Sequence, residues 1–176
     1  MTLRPILIHP DPRLKRRADP VAGVDDELRK LVEDMIDTMY DAPGIGLAAP
    51  QVGVSRRVFV MDPGPKDAPR APMALINPEI LWSSEAVNVH EEGCLSIPEV
   101  WADVTRPASV RMRWTDLEGA VREAEFDGLA ATCAQHELDH LEGKLFIDYL
   151  GAVKRSMITA RMKKLKRERA KAAAAG

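Results

Sequence analysis

The chain has 176 residues, is 45% apolar and carries a formal net charge of -2, which suits one compact domain with a single core and no more. Near-neutrality excludes a protein that binds polyanions over its whole surface, and a count of 2 cysteines excludes a disulfide scaffold. No apolar run approaches the length of a membrane span and Met1-Thr2-Leu3-Arg4-Pro5 lacks the apolar stretch of a secretory signal, so a cytoplasmic protein with no membrane contact is expected.

In chain order, residues 25–41 read as the first helix. Leu28, Leu31, Val32, Met35, Ile36, Met39 and Tyr40 recur at three and four spacings, Asp25 and Asp26 suit its N-terminal end, and Pro43-Gly44 stop it. From Arg57 to Phe126 the pattern turns to short strands, at Val58 to Met61, Ala74 to Ile76, Ile80 to Trp82, Ala86 to His90, Val110 to Trp114 and Ala120 to Phe126. The stretch from Asp62 to Pro69 reads as a surface loop, and Asp116 to Gly119 as a hairpin turn. A second helix is expected from about Gly128 to Glu142 with Gly143 as its stop, and a third over roughly 152–172, fraying into Ala172 to Gly176. There is no repeat and no linker. The class is α+β in one domain over 1–176: antiparallel or mixed sheets around a central metal-binding helix, with a C-terminal helix.

The chemistry concentrates in His136-Glu137-Leu138-Asp139-His140. Histidines four apart on a helix present both imidazoles to one divalent metal, while the glutamate between them faces the water that the metal activates. The plainer reading is a solvated helix with two histidines. A metal site needs a third ligand, and the metzincin pattern would place a histidine where Phe146 stands, although Gly143 is in place. Beyond residue 146 the only carboxylates are Asp148 and Glu168, the latter inside a basic run. Upstream, Glu92-Gly93-Cys94-Leu95-Ser96 offers a thiolate, and Cys94 with His136 and His140 suits a catalytic metal with an open position. Cys94 is otherwise a small buried residue. Cys133, three residues before His136, reads as packing; His9 and His90 lack metal spacing and read as structural. Arg106, Glu91 and Glu92 are candidates for charge pairs around the site.

Gly44-Ile45-Gly46-Leu47-Ala48-Ala49-Pro50-Gln51 is a turn into a strand whose small residues let a peptide backbone approach closely. This segment, then Glu92-Gly93-Cys94-Leu95-Ser96, then Gln135-His136-Glu137-Leu138-Asp139-His140 resemble, in order, the three signature motifs of peptide deformylase, over roughly residues 3 to 160. The resemblance implies hydrolysis of the formamide on N-formylmethionyl nascent peptides, with release of formate. It implies Glu137 as general base, the Gln51 amide and the Leu95 backbone N–H as oxyanion donors, and Cys94, His136 and His140 as metal ligands. Gly44, Ile45, Gly46, Gly93 and Leu129 are expected at the substrate, with Ile45, Leu95 and Leu129 lining an apolar methionine pocket.

Ferrous iron is the native metal that the resemblance implies, with Zn2+, Ni2+ or Co2+ as replacements. Nine cations between Lys154 and Lys171 stand against Glu168 alone; they suit a solvated helix end, and the resemblance makes them a dock on the large ribosomal subunit near the tunnel exit. Trp101 departs from the pattern, standing where many relatives carry Arg or another polar residue, which leaves sequence preference after methionine open. Two rivals are a general metallopeptidase and a ribosome-associated protein with a structural metal. The first lacks its downstream ligand, and the second leaves Glu137 idle.

Overall fold

Asp25 caps the first helix, its side chain accepting from the Leu28 N–H at 2.8 Å, and α1 runs Asp26–Asp41 as the apolar periodicity predicts. The structure, a computed structural model, describes residues 1–176. Seven strands follow α1: β1 (Gly46–Ala48), β2 (Val58–Met61), β3 (Met73–Ser83), β4 (Val87–Cys94), β5 (Ile97–Pro107), β6 (Ser109–Thr115) and β7 (Val121–Asp127). Helices α2 (Gly128–Leu141) and α3 (Ala152–Ala174) complete the chain.

The strands form a five-stranded antiparallel sheet in the order β1-β2-β3-β6-β7 and a separate two-stranded ribbon, β4-β5. Alternation sorts the large sheet's side chains between two cores. Leu47, Val58, Val60 and Ile76 pack with Leu28, Leu31, Val32, Met35 and Met39 of α1. Their neighbours Ala48, Phe59, Met61 and Leu75 pack on the opposite side with Ala131, Cys133, Ala134 and Leu141 of α2. A one-residue slip of β2 would exchange the two sets, so burial on both faces fixes the register. A third core joins Ile97, Val100, Ala102 and Val104 of β5 to Leu145–Ile147 and to Ile158 and Met162 of α3. Helix α2 thus touches the large sheet on one side and β5 on the other.

Several boundaries differ from the sequence expectation. The two runs at 74–76 and 80–82 are one strand, β3, made irregular around Asn77, which sits at φ 49° while its amide bonds both backbone groups of Val21. The run from Ala86 to His90 extends to Cys94. Strand β5 lay hidden between Pro98 and Pro107 because its inward positions include small Ala102 and charged Arg106. Helix α3 continues through Ala174, without the expected fraying from Ala172. No helix is long and apolar enough to cross a membrane. The turn at Asp116–Gly119 is as expected: Asp116 Oδ1 accepts from the N–H groups of Glu118 and Ala120, and Gly119 takes φ 81°.

His9 ties the opening segment to two other elements. Its N–H donates to the Ser96 carbonyl at 2.9 Å and its Nε2 lies 2.8 Å from Thr159 Oγ1 on α3. Burial, then the charge of Lys15, and those of Lys166 and Lys163, hold its pKa below the ordinary histidine value, with Asp148 opposing. The native form is therefore neutral, and the unfolded chain takes up a proton first as pH falls. Stability from this residue is complete above the unfolded value of about 6.5 and is lost as pH drops below it. We expect the denaturant midpoint to fall between about pH 8 and 5 less steeply in His9→Gln than in the parent; equal slopes would remove His9 as the source.

Candidate metal centre and substrate cleft

Helix α2 begins at the end of β7, where Gly128 takes φ 53°, and runs beneath β1 and β2. Its four-residue spacing puts His136 and His140 on one face, with ring centroids 5.0 Å apart. Cys94 arrives from the ribbon, at the end of β4. The ligand atoms of Cys94, His136 and His140 all lie within 4.8 Å of one another, and Cys94 Sγ is 3.3 Å from His140 Nε2. Three donors of this softness gathered at one point, two of them imidazoles, are what a zinc or iron site requires. Cys133 is not in the cluster; it is buried, its thiol facing the Ile45 carbonyl at 3.5 Å.

Glu137 is 4% exposed, and its Oε2 is buried without a hydrogen-bond partner. Burial pushes its pKa up to about 7, the neighbouring His136 pulls it down, and Glu92 adds to the rise. An uncommitted carboxylate oxygen beside a metal-ligand cluster can accept a proton from a small molecule held there. Burial, with the charges of His136, Arg106 and Lys15, holds the His140 pKa well below the usual range.

Behind the ligands stands a charged network. Glu92 Oε1 accepts from His136 Nδ1 at 2.9 Å, and the Arg106 guanidinium grips both Glu92 oxygens at 2.7 and 3.0 Å. Burial alone would raise the Glu92 pKa, but the hydrogen bonds from His136 and Arg106 hold it below the ordinary glutamate value. Of the charge-pair candidates read from sequence, Arg106 and Glu92 are joined and Glu91 is not: it is exposed and makes no ion pair. Phe146, at the metzincin ligand position, stacks on His136 with centroids 6.2 Å apart. Asp139, Tyr149 and Phe146 were not singled out as supports for the site, because their roles depend on a turn folding back after α2.

A cleft of about 800 Å³ opens onto this cluster. Gly44, Ile45, Gly46, Gln51, Gly93, Cys94, Leu95, Leu129, His136 and Glu137 all border it, whereas His140 lies behind them, 1% exposed. Leu129 and Ile45 are 45% and 39% exposed, as expected of residues at an open mouth. Gln51 is buried in the 3-10 turn after β1, its Oε1 accepting from the Ala48 N–H at 2.9 Å. Its Nε2 donates to Ser96 Oγ at 3.1 Å and faces Cys94 Sγ at 3.5 Å, so the donor on sulfur is the weaker commitment.

Two glycines permit contacts no other residue could. A Cβ on Gly46 would lie 2.6 Å from Glu137 Oε1, and one on Gly93 would lie 2.3 Å from Trp101 Cζ3. The Trp101 ring therefore rests on the Gly93 backbone, 64% exposed, at the wall of the cleft.

The chain is also similar to known proteins in sequence and in fold. The sequence model of polypeptide deformylase matches residues 3–156. A peptide deformylase of Novosphingobium aromaticivorans is 52% identical over 95% of this chain and 99% of its own, and one of Afipia carboxidovorans is 55% identical over 93% and 96%. Among solved structures, peptide deformylase from Legionella pneumophila superposes with a TM-score of 0.88 at 45% identity, covering 96% of this chain and 98% of that one. The enzyme from Ehrlichia chaffeensis, solved with actinonin, reaches 0.91 at 37% identity over 95% and 99%. Likeness of this extent, in sequence and fold alike, makes the chain an enzyme of the polypeptide deformylase family.

Proposed function

We propose that the protein is a cytoplasmic, single-domain metallohydrolase that removes the formyl group from the N-terminal methionine of nascent polypeptides and releases formate. The observation that carries this reading is the buried, unpartnered Glu137 Oε2 beside the Cys94, His136 and His140 donors, at the foot of a peptide-sized cleft.

Cys94 Sγ and the two imidazoles would hold one divalent ion, Fe2+ natively, with Zn2+, Ni2+ or Co2+ as replacements. When bound, the ion supplies Lewis acidity, acidifying the attacking water and polarising the formyl oxygen. Glu137 takes the proton of that water and returns it to the departing nitrogen. Oxyanion charge falls to the Leu95 N–H and to Gln51 Nε2, whose 3.5 Å contact with Cys94 Sγ is the one it can give up. Gly44, Ile45, Gly46 and Gly93 lie along the substrate backbone, and Ile45, Leu95 and Leu129 receive the methionine side chain. Trp101 flanks the residues that follow.

Helix α3 supports a dock on the large ribosomal subunit near the tunnel exit. Ile158 and Met162 turn inward, while all nine cations from Lys154 to Lys171 are exposed. Such a surface suits a polyphosphate, with affinity that falls steeply with salt.

Formate release from an N-formyl-Met tripeptide by iron-loaded protein, with the N-acetyl-Met peptide as control, tests the activity. We expect release from the formyl substrate alone; a folded, metal-loaded protein that releases none overturns the reading. Cys94→Ser should weaken metal binding by at least about tenfold, since a hydroxyl is a poorer ligand than a thiolate. Parent-level metal occupancy under chelator competition would take Cys94 off the ligand set.

A further inference from the structure

Arg106 is 4% exposed on β5, and its guanidinium has every nitrogen engaged. Nε and Nη2 hold Glu92, while Nη1 donates to Asp139 Oδ2 at 2.8 Å. The same Asp139 oxygen accepts from the Tyr149 hydroxyl at 2.8 Å, and Arg106 Cζ lies 4.9 Å over the Tyr149 ring. Tyr149 closes the 3-10 turn Phe146–Tyr149, three residues before α3. That turn reaches His136 twice: Phe146 stacks on the imidazole, and Tyr149 connects to it through Asp139, Arg106 and Glu92.

We infer that Arg106, locked by Tyr149 and Asp139, is a positioning residue that fixes the metal-facing orientation of His136 through Glu92, so that metal retention depends on a tyrosine at the foot of α3. This rests on the metal-site reading above. Glu92 Oε1 receives donors from both His136 Nδ1 and Arg106 Nη2, so the imidazole can swing only if the carboxylate moves. The carboxylate can move only if the guanidinium does. A planar fork bound at Nε and Nη2 retains one rotation out of its plane, and the bond to Asp139 together with the Tyr149 ring blocks it. Asp139 remains aligned because its shared oxygen holds the Tyr149 hydroxyl as well as Arg106. Supports of this kind commonly change metal affinity by about 10–100-fold when removed.

The experiment measures the rate at which Co2+-loaded protein loses its ion to excess chelator, followed by the visible Co2+ spectrum, together with kcat and KM. Tyr149→Phe keeps the ring and removes only the hydroxyl; it should release Co2+ about threefold faster. Arg106→Lys, which retains the charge and loses the fork, should release it about 10–100-fold faster, with a shifted spectrum and a fall in kcat larger than any change in KM. Leu28→Ala, in the separate core between α1 and the large sheet, should leave the release rate at the parental value. If the Tyr149→Phe rate equals the parent's, or Leu28→Ala accelerates release as much as Tyr149→Phe does, the positioning role is overturned. A parent Co2+ spectrum that Cys94→Ser does not alter would instead overturn the metal-site reading itself. Should Arg106→Lys fail to fold, the Tyr149→Phe comparison still decides.

Discussion

Glu137→Ala should retain its metal and lose turnover by about 10²–10⁴-fold, the usual worth of a positioned general base. The side chain is buried, its Oε2 has no other partner, and no second carboxylate borders the cluster in a position to replace it: Glu92 is committed to His136 and Arg106. The pH profile adds a signature. Glu137 accepts a proton only when ionised, and burial pushes its pKa up to about 7, so kcat/KM rises with pH through an acid limb. A divalent ion nearby favours the ionised form and moves that limb below this value. The residual activity of Glu137→Ala should lack the limb. Substantial turnover in the variant, with the limb intact, would place the base elsewhere.

The second large effect belongs to a residue with no side chain. In Gly46→Ala the added carbon would meet Glu137 Oε1 at 2.6 Å and Cδ at 2.9 Å, too close for either to stay. The strand cannot yield easily, since Gly46 pairs with Met61 and Leu47 and Ala48 beside it are fully buried. The carboxylate must move instead. A displacement of about 1 Å at a reacting group costs about 10²-fold, so we expect kcat to fall by about that factor while metal content stays at the parental level. If KM rises and kcat does not change, Gly46 serves the substrate backbone alone and the carboxylate has adapted.

The meeting of Cys94, His136 and His140 was legible because each member announces itself locally. His136 and His140 need only the helix period to meet, and Cys94 stands beside a glycine in a segment rich in function. The first helix was equally plain, since Asp25 and the apolar stripe agree about where it starts and which face it buries. Strand β5 was harder to see, although Val100, Ala102 and Val104 alternate cleanly, because Arg106 continues the inward series with a charge. That charge is tolerable inside only with Glu92 and Asp139 around it, and their meeting is a tertiary fact. The same holds for Tyr149, whose link to the site requires the turn after α2 to fold back against it. Local chemistry could be read from the chain, with Arg106 and Glu92 as charge-pair candidates beside it; the contacts of Asp139 and Tyr149 that hold Arg106 in place could not.

Positions 93 and 101 constrain each other. With the indole laid against the Gly93 backbone, a side chain at 93 would meet the ring, so substitution there requires the exposed Trp101 side chain to swing aside or to give way to something smaller. A change at either position therefore reshapes the same stretch of cleft wall beside Cys94.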